Sequence, residues 1–481
     1  MRIRRREATR SRAGELWADA WRWFLFACGV VFAVYLLLDR GIPNGAVMAS
    51  VVAALAVGVV LTVAEPLAIV LMATPAVLIT ERLGLGGVDL TVSDAALAAA
   101  LGTAVLLGKH DYSAPMKAML WANLGYQFAT LFTVIVNPFP QNTVEWVHAW
   151  VLVSGALVAG WVIGRAGHAR LAFILILCAA TVIAAGTFST AIVQAVSGEP
   201  LAAVYPEWPW PMHKNFAGGM LAFAAFIAYV NPDWARIDTR WTKSAFVVFL
   251  VALVLTQSRQ AGVGLAIALL VHTLRRGIRN HIALVLVLAV PGAYLVVQSV
   301  IEQIESQNRF NSFYQRVDWL REVYALWKHS PVFGHGLRYW YVTPSADFQP
   351  PQAEVEVAAS TGLVGLAGFV VMWGVMLIVL WRVSPRFGMP AFGLLLSRIV
   401  QAQFDLFWVA AQVSVPFFVA GICLGAQAFA RERDPDQEIW MPSGRAARSR
   451  PARPRADRRA RADVGTRRPP AYDRPRRRGG G

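Results

Sequence analysis

The chain is short of charge. Asp, Glu, Lys and Arg make up only 15% of its 481 residues, against 56% hydrophobic residues. A soluble globular domain carries more charge and keeps its apolar residues in short periodic runs, so that class is excluded. Cysteine is scarcer still. Cys28, Cys178 and Cys423 each sit inside an apolar run. Three isolated thiols form neither a metal spacing nor a disulfide framework, and they read as small buried hydrophobes. No outer Asp/Glu cluster resembles a metal cage, so no metal and no cofactor is expected. No internal repeat of the kind that builds inverted-repeat transporters is visible. A small-residue cleavage site after the first apolar run is also missing, so that run is expected to remain as a membrane helix rather than leave as a signal.

What the chain has in abundance is long apolar runs. A stretch of roughly 18 apolar residues or more crosses about 30 Å of hydrocarbon as a helix. Only helices and closed barrels satisfy their backbone hydrogen bonds in lipid, and these runs are too long, and alternate too little, for barrel strands. The expected fold is an all-α polytopic membrane protein of about 12–14 transmembrane helices with one large extracytoplasmic loop. The helices are placed near 23–38, 45–63, 66–80, 91–108, 115–137, 145–164, 170–193, 214–231, 244–258, 260–274, 281–300, 353–381, 390–405 and 408–430. The division that follows is a basic cytoplasmic N-terminus (1–22), a helix bundle (23–300), an extracytoplasmic loop (301–352), C-terminal membrane helices (353–430) and a disordered Arg-rich cytoplasmic tail (431–481).

The net charge of +16 does not indicate nucleic acid, because of where it lies. Residues 1–22 hold seven Arg against three acids (+4), and residues 431–481 hold sixteen Arg against seven acids (+9), together +13 of the +16. The body between is close to neutral, and no nucleic-acid partner is expected. Short loops on one side carry Lys109 and Lys117, Arg165 and Arg170, Arg236, Arg240 and Lys243, Arg275, Arg276 and Arg279, and Arg382 and Arg386. Intervening loops carry Glu81, Asp89, Glu145, Glu199 and Glu207 with few bases. By the positive-inside rule both termini are cytoplasmic and residues 301–352 lie outside. The tail, rich in Arg, Pro, Gly and Ala, cannot bury a core. It serves to hold the C-terminus inside, or to bind anionic lipid.

Polar groups at membrane depth are costly and need a reason. Those that stand out all fall on the predicted outer side. Arg259, in Thr256-Gln257-Ser258-Arg259-Gln260, sits where two apolar helices emerge. It either snorkels to headgroups or offers a guanidinium fork to a phosphate. In the large loop, Val317, Leu320, Tyr324 and Trp327 recur at helical spacing until Pro331. They predict an amphipathic helix on the membrane face or over a cavity. That helix bears Arg316, Asp318, Arg321 and Glu322, which serve either a ligand or a solvated face. Ser330-Pro331-Val332-Phe333-Gly334-His335-Gly336-Leu337-Arg338 follows, with two glycines around His335 that allow backbone to approach a ligand or simply make a turn. Gln352, Glu354 and Glu356 open a long apolar helix containing Gly362, Gly365 and Gly368, which allow close helix packing. The two acids lie about 200° apart around it, so both cannot face lipid. Pro211-Met212-His213-Lys214-Asn215 marks another helix start.

Together and in this order these segments resemble the O-antigen ligase and polymerase family of bacterial membrane glycosyltransferases, over about residues 205–425. The resemblance rests on Pro211 to Asn215, on Ser258-Arg259, on an Arg that begins the loop helix and leads to Pro-x-x-Gly-x-Gly (Arg316, Pro331, Gly334, Gly336), and on Gly362-x-x-Gly365. The first 200 residues match only as a string of membrane helices. The family's His-Asn pair falls at Pro351-Gln352, so its histidine has no counterpart, and His335, Gln352 or Glu354 would stand in. The resemblance implies a metal-independent glycan transfer at the outer face of the bacterial inner membrane. Its partners would be a polyprenyl-diphosphate-linked glycan as donor, an acceptor glycan, lipid or protein, and the bilayer. Arg259 and Arg316 would meet the diphosphate, with Arg338, Gln352, His213, Lys214 and Arg321 as further substrate contacts. The base would be Glu354, then His335, then Glu356. A flippase or transporter of lipid-linked sugars, marked by deep charges such as Arg398, and a non-catalytic scaffold are the alternatives.

Overall fold

A computed structural model describes residues 67–82, 90–198, 202–276, 312–343 and 349–433, with the side chains of 276 and 312–317 excepted. The predicted helices at 23–38, 45–63 and 281–300 and the tail beyond 433 lie outside the described residues. Each of the other predicted spans is a helix, and among the described residues the one extended pairing is an isolated bridge between Arg82 and Thr91. In chain order the helices are α1 (Ala68–Ala76), α2 (Val92–Leu107), α3 (Ala114–Val136), α4 (Pro140–Arg165), α5 (Ala169–Val196), α6 (Lys214–Val230) and α7 (Thr239–Thr256). They continue with α8 (Arg259–Arg276), α9 (Ser312–His329), the single turn α10 (Tyr339–Val342), α11 (Ala353–Arg382), α12 (Pro385–Gln401) and α13 (Ala410–Arg433). Six of them, α3, α4, α5, α7, α11 and α13, are long and apolar enough to cross a bilayer. The chain is an all-α polytopic membrane protein.

Local chemistry sets the starts. Thr91 and Asp94 form a capping box at α2. Ser113 caps α3 ahead of Pro115, and Asp238 caps α7. Pro140 and Pro385 occupy the first turns of α4 and α12, where a missing N–H costs nothing. Because of Pro140, α4 begins five residues before the predicted 145, so Glu145 lies within the helix and not in a loop.

The centre of the bundle is the contact between α4 and α13. Gly160 and Gly164 on one helix face Gly421 and Gly425 on the other, each spaced by four. A methyl group at any of them would overlap backbone of the opposite helix: Phe418 and Ile422 from α4, Leu157 and Trp161 from α13. Hydrocarbon offers no hydrophobic drive for helix association, so van der Waals contact between bare backbones does that work. Gly421→Leu is accordingly expected to force the helices apart. It should lower stability by about 1–3 kcal/mol, the range of overpacked cores, read as a clear drop in the unfolding midpoint of the detergent-purified protein. Gly102→Ala, where a methyl meets nothing within 4 Å, should be harmless.

One end of the bundle is tied by Arg165, whose side chain donates to Asp111 (3.0 Å from Nε to Oδ2) and to Glu432. Partial burial pushes the Asp111 carboxyl up, but hydrogen bonding to Arg165 and its charge outweigh this and hold it below the usual range. That stabilisation is present above the ordinary Asp range and lost as pH falls through the lowered value. Trp234 reaches the Arg386 carbonyl at the same basic end, and Arg275 lies over the Trp381 ring. The candidate site occupies the opposite end.

Candidate functional site

The Pro331–Arg338 block does not form a free turn. It docks, backbone to backbone, on a break in α11. At Gly362 φ is 65° and ψ is −167°, outside the helical region and essentially restricted to glycine. The break exposes main-chain groups on both sides, and the block takes them up. The His335 and Gly336 amides donate to the Ala359 and Ser360 carbonyls (3.1 and 2.9 Å), and the Leu363 and Val364 amides donate to Pro331 and Val332 (2.8 and 3.2 Å). Irregular backbone is tolerated at membrane depth only where protein satisfies it in this way. A side chain at Gly334 (φ 68°) would overlap the Ser360 backbone, and one at Gly362 would overlap Val332. The run predicted as one uninterrupted helix is therefore two, and Gly362 serves the break rather than helix packing. Gly365 faces its own Thr361, while Gly368 does meet α3 at Ala129 and Tyr126.

The segment 402–409 between α12 and α13 ties the rest of this end together. Arg398 holds it. This guanidinium is fully buried and donates to the Gln412 side chain (3.0 Å), the Leu406 carbonyl (2.8 Å) and the Phe407 carbonyl. Ala353 of α11 donates to the Ala402 carbonyl (2.9 Å), and Gln403 Nε2 donates to Glu354 Oε1 (2.8 Å). Gln260 beside Arg259 donates to Asp405 (2.6 Å), and Gln412 donates to the Asn215 carbonyl beside Lys214 (3.3 Å). The N-termini of α8 and α11 thus meet this segment, and that of α6 meets Gln412 at the start of α13.

The sequence-predicted residues fall as follows. Arg259 is exposed at the start of α8, with no partner among the described residues. His213 caps α6 by accepting from the Asn215 amide (3.2 Å), and Lys214 lies 5.9 Å from the Tyr205 ring centre. Gln352 is the N-cap residue of α11 but makes no side-chain cap bond. Glu354 is half-buried with Oε2 unpaired. Glu356, only 3% exposed, accepts from Gln349 Nε2 (2.7 Å) and leaves its own Oε2 unpaired. His335 Nε2 donates to the Leu326 carbonyl (2.9 Å) near the end of α9, which leaves Nδ1 as its acceptor. Arg321 stands apart, 78% exposed and, among the described residues, paired only with Asp318 (3.2 Å). Arg316 lies on α9, but its side chain is outside the described residues. On the same helix Val323 is buried, Trp327 is half-buried, and Leu320 and Tyr324 of the predicted apolar face are exposed.

Two arginines pair within the protein. Arg338, expected as a substrate contact, meets Glu145 of α4 (Nε to Oε2, 3.2 Å) and lies over the Tyr341 ring (4.3 Å). Arg398, the deep charge that the alternative transporter reading would have used, braces a loop. Between α3, α4 and α11 lies a cavity of about 10 Å³, at the threshold for one water. It is lined by Glu145, Glu356, Tyr126 and Gln127. The Tyr126 hydroxyl and both Gln127 side-chain polar atoms are buried without partners. Tyr126 and Gln127 gave no sequence signal, being single polar residues within an apolar run. Among the described residues no cluster of His, Cys, Asp and Glu has the form of a metal site.

No curated protein matches the chain. Residues 244–370 match the family model described as Wzy_C, O-Antigen ligase. The match runs from α7 through α8 and α9, across the docked glycine block, and past the break in α11. For this multi-pass membrane protein, the similarity of residues 244–370 to the O-antigen ligase model supports a glycosyltransferase or ligase role in polysaccharide assembly.

Proposed function

We propose that the protein moves a glycan from a polyprenyl-diphosphate donor to an acceptor hydroxyl on a glycan, lipid or protein, at the outer face of the bacterial inner membrane. The observation that carries this reading is the docking of the Pro331–Arg338 block on the broken α11. It holds Arg338 and His335 at the same end of the bundle as Glu354 and Arg259, within or beside the family-matched segment. The acceptor oxygen attacks the anomeric carbon, and the bond from that carbon to the diphosphate oxygen breaks. The hydroxyl proton passes to Glu354, whose Oε1 is oriented by Gln403 and whose Oε2 has no partner. The diphosphate leaves with its electron pair, stabilised by Arg259, Arg316 and Arg338 in a site of low dielectric.

The test is deletion followed by analysis of envelope glycans and lipid-linked intermediates. Polyprenyl-linked glycan should accumulate, and wild-type protein should clear it. An unchanged lipid-linked pool with normal envelope glycan would remove the reading. In the same complementation assay Arg259→Lys and Arg316→Lys are each expected to lose at least about 90% of transfer with normal expression, because lysine keeps the charge but not the bidentate fork. Arg321→Lys should stay near wild type, since that side chain is solvated. Wild-type activity in both of the first two variants would reduce those residues to snorkelling or solvated charges.

A further inference from the structure

Behind Arg338 runs a line of four alternating charges, begun in a part of the chain that the family match does not reach. Its far end is local. Thr91-Val92-Ser93-Asp94 makes the capping box of α2. The Thr91 amide and hydroxyl both donate to Asp94 Oδ2 (2.9 and 2.8 Å), which leaves Oδ1 to point away from the cap. Asp94 Oδ1 meets His148 Nε2 at 2.9 Å, and His148 Nδ1 faces Glu145 Oε1 at 3.4 Å, one turn back along α4. Glu145 Oε2 then meets Arg338 Nε at 3.2 Å. Both nitrogens of the His148 ring face carboxylate oxygens, which only accept when ionised. An imidazolium supplies both donors and makes the line Asp⁻, His⁺, Glu⁻, Arg⁺, neutral overall.

The last member is held in two ways. Its Nε forms an ion pair with Glu145, and its face lies against Tyr341. The two terminal amino groups have no partner among the described residues, and the side chain keeps 20% of its exposure. A fork clamped at its base with both tips free is the geometry that grips two oxygens of a phosphate.

We propose that Asp94, His148 and Glu145 are positioning residues that aim the free fork of Arg338 at the diphosphate of a lipid-linked donor, so that α2 and α4 help build the site. This rests on the donor class proposed above. The alternation of sign matters as much as the contacts. Glu145 borders the same small cavity as Glu356 and acts on it electrostatically. Without His148 two acids would face each other there uncompensated, and the Glu145 carboxylate would hold Arg338 less firmly.

The experiment is a double-mutant cycle read by binding, with geranyl diphosphate as probe and the full-length protein in detergent. Glu145→Gln is expected to weaken the probe about tenfold in the wild-type background, within the coupling typical of contacting residues. In an Arg338→Ala background the same change should cost less than about twofold, because its route of action is gone. Asp94→Asn should show the same dependence on Arg338 with a smaller effect, and it carries the test if Glu145→Gln does not fold. With reconstituted donor, Glu145→Gln should raise KM far more than it lowers kcat. Equal losses in both backgrounds would overturn the relay, leaving an ordinary structural ion pair, and would leave the transfer reading intact. Wild-type protein that does not bind the probe would overturn relay and donor class together. Binding with the expected cycle but no transfer to any acceptor would overturn the transfer reading alone.

Discussion

Gly362→Ala is expected to cost about 3 kcal/mol or more of stability and to abolish transfer. Two effects add. The φ and ψ at Gly362 lie where an L residue is strained by about 1–3 kcal/mol. The new methyl would also overlap the Val332 backbone, which cannot swing aside as a side chain end can. Relief requires undocking the glycine block, and with it the four backbone hydrogen bonds that join the block to α11. Arg338 would then leave its place. Gly374→Ala is the control. It lies on the same helix, in helical conformation, with nothing within 4 Å of the new methyl. It should stabilise by about 0.5–1 kcal/mol, as glycine to alanine does within a helix. Thermal unfolding of the purified variants separates the two. Similar midpoints for Gly362→Ala and wild type would mean that the break in α11 is not a fixed feature of the fold.

Glu354→Gln is expected to lower the transfer rate by about 10²–10⁴-fold, the usual contribution of a positioned general base, with little change in donor binding. Glutamine keeps the shape and still takes the hydrogen bond from Gln403, but it cannot accept the acceptor's proton. Glu354 is preferred to Glu356 because of where the two lie. Glu356 is at the floor of a cavity too small for a sugar, whereas Glu354 is half-buried in the first turn of α11 beside the 402–409 segment. His335 is the competitor, and its Nδ1 is the nitrogen left to accept. His335→Ala is expected to lose less activity, through a looser end to α9. Retained transfer in Glu354→Gln with loss in His335→Ala would move the role to His335. Retained transfer in both would leave the proton to the departing diphosphate.

Some of this was open to the sequence and some was not, and Gly362 shows the boundary. Its motif neighbours Pro331, Gly334, Gly336 and Gly365 marked the segment as special. Sequence spacing suggested helix packing there, because nothing local distinguishes a glycine that lets a neighbouring helix approach from one that breaks its own. The opposite happened at Gly160, Gly164, Gly421 and Gly425. Their spacing is the recognised signal of close membrane-helix contact, but which pairs meet depends on how two helices more than 250 residues apart are brought together. Glu145 read as a loop acid because charge near a helix end usually marks the boundary. It became part of α4 because Pro140 starts that helix earlier.

By itself the sequence determined where the membrane helices of the described residues lie, since each follows from a run of apolar side chains that only a helix can carry through hydrocarbon, though not the break in α11 or the early start of α4. It also marked a stretch that includes residues 244–370, which the O-antigen ligase model matches. Only the tertiary structure decided which charges meet. Arg338 and Glu145 stand 193 positions apart, Arg398 turned inward to hold a loop, and His148 lies between two acids. Hydropathy acts on each residue where it stands, whereas a buried charge is stable only beside its partners. Partners drawn from distant helices exist only once the bundle has closed.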